Sequence, residues 1–239
     1  MIDVAIAVDR QHIHGKLLLR EATERGPAML FVHGWGGTQR RNLGIGRQLS
    51  ARGLVCLTFN LRGHARTRKQ RDTVTRAQNL ADVVAAYDVL ASRAEVDPAR
   101  IGVVGSSYGG YLATLATTER KIRCLALHAP ALYMDDDFDR PRRELNLDPK
   151  LGAYRRRRLP TSANRALDAA SRFEGDVLIV ESAHDTVIPH QVIANYVRAF
   201  ESPAASLRHE TLAGADHGLS REVWRRAWGA VLVDWVAKH

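Results

Sequence analysis

Residues 101–111 read Ile101-Gly102-Val103-Val104-Gly105-Ser106-Ser107-Tyr108-Gly109-Gly110-Tyr111, an apolar run that breaks into glycines around a pair of serines. Gly105 to Gly109 fits the pattern G-x-S-x-G with Ser107 central. Ser106 is out of frame, because Val104 and Tyr108 stand where its glycines would have to be. The run 101–104 has strand length, and the Ala/Leu-rich stretch 108–118 has helical character. A serine at so sharp a strand-to-helix turn is held in a strained conformation, and small neighbours let the chain reverse tightly. The helix behind it presents its amino end to developing negative charge. Ser107 is therefore a candidate nucleophile.

Outward from this turn, short apolar runs recur at 29–32, 54–59, 122–127 and 177–180, as expected of parallel strands buried on both faces. Between them lie helical periods, clearest at 77–93, where Leu80, Val83, Val84, Tyr87 and Leu90 share a face, and at 221–236. Two earlier strands, 4–8 and 16–20, are separated by a turn placed at His14-Gly15, and 206–212 supplies the last of eight. An antiparallel hairpin feeding a parallel βαβ series is the economical topology. The fold class is thus α/β, a mostly parallel eight-stranded sheet flanked by helices, in a single domain over residues 1–239. Residues 132–172, after the sixth strand, break the alternation with Asp135-Asp136-Asp137, several prolines and Arg155-Arg156-Arg157-Arg158. That is too long for a plain connection. It predicts a small insertion, a cap over the carboxyl edge of the sheet, with Leu132, Tyr133 and Phe138 as candidate pocket lining.

A serine hydroxyl is a poor nucleophile at neutral pH and needs a base, itself oriented by an acid. His217 lies in Gly214-Ala215-Asp216-His217-Gly218, after the last strand, and Asp185 lies after the strand at 177–180. Loops that follow parallel strands gather at one edge of the sheet, so Ser107, Asp185 and His217 emerge together. The neighbours His184 and Asp216 are weaker candidates, and His33, His64 and His128 also fall near strand ends. Strand 29–32 runs into His33-Gly34-Trp35-Gly36-Gly37. Acyl transfer builds charge on a substrate oxygen, and backbone N–H groups must already point at it. The N–H groups of Trp35 and Tyr108 are the candidate donors, with His33, Gly34, Gly36, Gly105 and Gly109 shaping the two turns.

Composition excludes other classes. The net charge is +9, from 35 Lys and Arg against 26 Asp and Glu, but no aromatics interleave with the basic residues and no nucleic-acid-binding signature is present. A solvated basic surface is expected, with no nucleic-acid or membrane partner. No apolar run has the ~18 residues needed to span a bilayer, and the amino end has no signal-peptide pattern, so a cytoplasmic address is the expectation. Cys56 and Cys124 sit in strand-like runs and are expected to be buried inert thiols. They lack metal-site spacing, and no cofactor or metal is expected.

The histidine-glycine turn, the serine turn, the acid loop and the histidine loop appear in the order that the α/β-hydrolase superfamily shows, and from about residue 15 onward the sequence resembles that superfamily. It is similar to small esterases and dienelactone-hydrolase-like proteins, and the run Gly105 to Tyr111 is similar to the nucleophile motif of prolyl-oligopeptidase-type peptidases. The resemblance implies a serine hydrolase with Ser107, Asp185 and His217 as its triad and a small-molecule ester as substrate. A peptidase of aminopeptidase or acyl-peptidase type, or a thioesterase, is the alternative. A module that merely binds an anionic ligand is the alternative from another class, motivated by the charge. Many members carry Asp-x-Arg-Gly-His-Gly after the fourth strand; here the stretch is Asn60-Leu61-Arg62-Gly63-His64-Ala65. Serine at position 107 separates the chain from haloalkane dehalogenases and epoxide hydrolases, which use aspartate there. It also separates it from true dienelactone hydrolases, which use cysteine.

Overall fold

A computed structural model of the protein describes residues 1–238 apart from 22, 23, 137 and 146, so Asp137 of the acidic run lies outside the described residues. Eight strands form one sheet: β1 (Ile2–Val8), β2 (Gln11–Leu18), β3 (Gly26–Val32), β4 (Val55–Phe59), β5 (Val96–Ser106), β6 (Cys124–His128), β7 (Asp176–Ser182) and β8 (Ser206–Leu212). Their spatial order is β1-β2-β4-β3-β5-β6-β7-β8. β1 and β2 pair antiparallel, as do β2 and β4, and every other pair is parallel. The eight-stranded, mostly parallel sheet expected from the sequence is therefore present.

The turn expected at His14-Gly15 is not. Both residues lie inside β2, where His14 pairs with Ala5 and Gly15 with Val4. The hairpin reverses instead at Asp9-Arg10, and Asp9 takes φ +51°, a left-handed conformation that a short polar side chain tolerates better than most. Gly15 answers a different need. A Cβ there would sit 2.7 Å from the Thr58 carbonyl oxygen, so glycine allows β2 to approach β4.

Helices cover both faces. α1 (Arg40–Ser50) and α8 (Glu222–Val236) lie on one side, over a core containing Met29, Phe31, Cys56, Leu178, Leu232 and Trp235. α2 (Arg76–Ala91), α3 (Tyr108–Ala116), α6 (Arg165–Ala170) and α7 (His190–Phe200) lie on the other, over Leu30, Val32, Leu57, Val103, Leu125 and Ile179. Neighbouring residues of β3 thus point to opposite layers, as the period of two requires. Starts are fixed locally. Thr75 and Gln78 form a reciprocal capping box at α2, and Asn164 accepts the N–H groups of Ala166 and Leu167 at α6.

Residues 132–172 hold two further short helices, α4 (Arg142–Leu145) and α5 (Lys150–Arg155), a single 3-10 turn and α6. Leu132, Tyr133 and Phe138 are buried in the main core rather than facing an open pocket. Pro141 bridges to Thr75, and Arg142 N–H donates to the Val74 carbonyl, which fastens this segment to the entry of α2. No helix among the described residues is long and apolar enough to cross a membrane.

Candidate active site

Ser107 occupies the break between β5 and α3 with φ +52° and ψ −117°. Its backbone is over-determined: Ser107 N–H donates to the His128 carbonyl at 2.8 Å, and its own carbonyl accepts from Gly110, Tyr111 and Ala131. Close approach explains the flanking glycines. A Cβ at Gly109 would lie 2.3 Å from the Val32 oxygen, and one at Gly105 would lie 2.5 Å from the Gly109 oxygen. The serine turn is thus wedged against the end of β3, and a Cβ at Gly34 would lie only 3.3 Å from the Ser107 Cβ.

Three loops from three strand ends meet here. Ser107 Oγ lies 3.0 Å from His217 Nε2, and His217 Nδ1 lies 2.7 Å from Asp185 Oδ2. Asp185 Oδ1 accepts the N–H groups of Val187 and Ile188, each at 2.8 Å. Burial tends to raise the Asp185 carboxyl, but the hydrogen bonds from His217 and from those two amides hold it below the usual carboxylate range. An ionised carboxylate therefore fixes the imidazole with its proton on Nδ1 and its lone pair on Nε2 facing the hydroxyl. A hydroxyl so placed can lose its proton to the ring as it attacks an electrophile.

The weaker candidates are engaged elsewhere. Asp216 Oδ1 accepts Ser220 N–H at 2.9 Å and its carboxylate takes the Ser220 hydroxyl, which closes the loop that carries His217. The His184 backbone N–H donates to the Ala215 carbonyl, tying the acid loop to the histidine loop, while its side chain is exposed. His33 Nε2 accepts Leu61 N–H, leaving Nδ1–H to donate to the Gly34 carbonyl; burial and the nearby His64 push this imidazole down to about 3. His64 Nε2 accepts Gly36 N–H at 2.9 Å. His128 Nε2 lies 3.1 Å from Ser182 Oγ, and burial followed by the nearby His217 pushes this imidazole down to about 4. All three are neutral buried rings that set loop geometry.

The candidate oxyanion donors flank the serine. Gly36 N–H goes to His64 and Gly37 N–H to the Gly34 carbonyl, whereas neither Trp35 nor Tyr108 N–H has a backbone acceptor among the described residues. The Trp35 and Tyr108 rings meet edge to face with centroids 5.6 Å apart. A buried network behind them holds both turns. Arg62 Nε donates to Asp82 Oδ1 at 2.5 Å, Asn79 Nδ2 donates to Asp82 Oδ2, and the Tyr108 hydroxyl donates to Asn79 Oδ1. Asn60 accepts Gln39 N–H and serves the fold at the start of α1.

The basic run does not surround the serine. Arg155 turns inward to donate to the Leu132 carbonyl, and Arg156, Arg157 and Arg158 are exposed. Its place is taken by a residue that sequence reading did not single out, Arg142, whose guanidinium stands 4.4 Å from the Trp35 ring and 5.0 Å from the Tyr108 ring. No sequence pattern distinguishes Arg142 from its neighbours Arg140 and Arg143; only burial does, since Arg142 is 5% exposed.

The model of the prolyl oligopeptidase family matches residues 46–239. An uncharacterized protein of Mycobacterium tuberculosis is 24% identical over 197 residues, which are 80% of this chain and 63% of that protein. The chain thus spans less than two thirds of the length of that curated relative. Among solved structures, Est1E from Butyrivibrio proteoclasticus, with ferulic acid bound, superposes with a TM-score of 0.73 at 17% identity, covering 98% of this chain and 99% of that one. A thermophilic esterase of Thermogutta terrifontis, with propionate bound, gives 0.74 at 17% identity, covering 99% and 93%. These two show a shared α/β-hydrolase fold.

Proposed function

The chain belongs to the prolyl oligopeptidase family, a family of hydrolases, and on that premise we propose that it cleaves carboxylic esters through an acyl-enzyme on Ser107. The observation that carries this reading is the unbroken hydrogen-bond chain Ser107–His217–Asp185. Ser107 Oγ attacks the ester carbonyl carbon as its proton passes to His217 Nε2, and Asp185 stabilises the imidazolium that forms. The tetrahedral oxygen takes its charge against the N–H groups of Trp35 and Tyr108, each such donor being worth about 10²–10³ in rate. His217 then gives its proton to the departing alcohol as the C–O bond breaks. A water, deprotonated by the same ring, attacks the acyl group and restores Ser107.

The family's name favours a second reading, hydrolysis of peptide amides. One comparison separates the two: initial rates on a series of p-nitrophenyl acyl esters against aminoacyl and N-acyl-aminoacyl p-nitroanilides. Ester turnover that is absent in Ser107→Ala, with little anilide cleavage, is the expected result. Anilide cleavage exceeding ester cleavage in kcat/KM would replace the esterase reading with the peptidase one, and no turnover of either series would sink both.

A further inference from the structure

Resting on the ester reading, we propose that the substrate carries a carboxylate, recognised by the two arginines that stand over Trp35. Arg71 places its guanidinium 5.5 Å from the Trp35 ring centroid, and Arg142 places its own at 4.4 Å. Trp35 is a candidate oxyanion donor and a Cβ at Gly36 would lie 3.5 Å from Arg71 Nη2, so both cations stand against the turn that carries that donor.

Arg142 is 5% exposed, and only Nη2 has an acceptor, the Tyr133 hydroxyl at 2.8 Å; Nε and Nη1 have none. Arg76, fully buried, donates Nη1 to the Met134 carbonyl and the Tyr111 hydroxyl, and its Nε and Nη2 have none. No ion pair engages Arg71, Arg76 or Arg142 among the described residues. Aromatic faces at Trp35, Tyr108, Tyr133 and Phe138 compensate the buried charges in part. Among the described residues Asp135 acts on Arg76, and its Oδ2 already accepts Arg165 N–H. Among the described residues the three guanidiniums outnumber that carboxylate, and the two buried ones, Arg76 and Arg142, hold an excess of positive charge largely closed to water.

Buried cations lacking a counter-ion are costly, and an incoming anion relieves that cost. Low-dielectric walls also focus the field of such charges towards the mouth of a site. The field is felt locally: burial comes first in depressing His64, and Arg71 and Arg142 add to it. A carboxylate matches the planar fork of a guanidinium, and the half-exposed Arg71 is the one positioned to meet it first. Arg142 supplies charge behind the ring.

The test compares kcat/KM for the phenyl hemiester of adipic acid with that for the phenyl ester of its monoamide, an uncharged group of nearly the same size and shape. The wild-type ratio should favour the anionic ester by about tenfold or more, the size of one hydrogen bond to a charged group. Arg71→Gln and Arg142→Gln should each reduce the ratio severalfold, and 0.5 M salt should reduce it in the wild type. Arg71 is half-exposed, so its variant keeps the test open if Arg142→Gln fails to fold. A wild-type ratio of one or below, or a ratio that stays constant in folded Arg71→Gln while both rates fall together, would overturn the inference alone. No turnover of either ester would instead overturn the ester reading beneath it.

Discussion

Replacing Asp185 by asparagine changes one atom, and the structure dictates which way the new amide faces. Asp185 Oδ1 is fixed as an acceptor by the N–H groups of Val187 and Ile188. In Asp185→Asn the amide oxygen must stay there, since an NH₂ group in that place would oppose two donors. The NH₂ is therefore turned towards His217 Nδ1, now 2.7 Å from a donor where it faced an acceptor. The imidazole responds by carrying its proton on Nε2, the atom 3.0 Å from Ser107 Oγ. It can then no longer accept the serine proton. Loss of the correct tautomer with geometry preserved lowers kcat by about 10⁴, which is about 5 kcal/mol of barrier. The assay is steady-state hydrolysis of a p-nitrophenyl ester at pH 7.5, with circular dichroism to establish that the variant is folded. Asp216→Asn is the control, because Asp216 bonds Ser220 and leaves the ring alone; its rate should stay within about threefold of the wild type, a change of less than 1 kcal/mol. A folded Asp185→Asn that kept a tenth of wild-type activity would refute the reasoning.

Three other outcomes follow from the same structure. Ser107→Gly should be inactive yet more stable, because glycine adopts φ +52° without the side-chain penalty; a gain of about 1 kcal/mol is expected, read as a raised midpoint in urea, and a lowered midpoint would contradict the assignment of strain. Stability should fall between pH 6.5 and 4, because His33 and His128 are held neutral in the folded chain, at about 3 and about 4, while the unfolded chain takes up their protons. The stability is complete above 6.5 and declines as pH drops through this window, by about 3 kcal/mol for His128 alone; urea unfolding that gave equal free energies at pH 7 and 4.5 would argue against it. Burial pushes the Cys56 thiol far up and Cys124 up to about 12, so neither should react with Ellman's reagent at pH 8 until the chain is unfolded; rapid labelling of the native protein would contradict this.

The sheet was legible because its central strands are short apolar runs, and such runs leave few alternatives once helical periods lie between them. β2 was misplaced because a histidine-glycine pair reads as a turn, whereas Gly15 is there to let Thr58 come close. Nothing local to residues 11–15 distinguishes those two uses of glycine; the partner strand lies more than forty residues away. The positions around Ser107 were legible for the opposite reason, since the glycines, the strand and the helix that make the turn are adjacent in the chain. The arginines were not. Arg155 to Arg158 attract attention as a run, yet three of them face solvent. Arg142 matters through burial, and both it and Arg71 through Trp35, relations that join three segments far apart in the sequence. Likewise the link from Arg62 through Asp82 and Asn79 to Tyr108 connects side chains whose sequence spacing has no pattern.

The most direct test is intact-mass analysis after exposure to a small fluorophosphonate, which phosphonylates a serine only when a base activates it and donors receive its oxygen. The account predicts one adduct per chain, located on the peptide that carries Ser107 and absent from folded Ser107→Ala. A folded wild-type chain that gains no adduct, or an adduct that persists in Ser107→Ala, would contradict it.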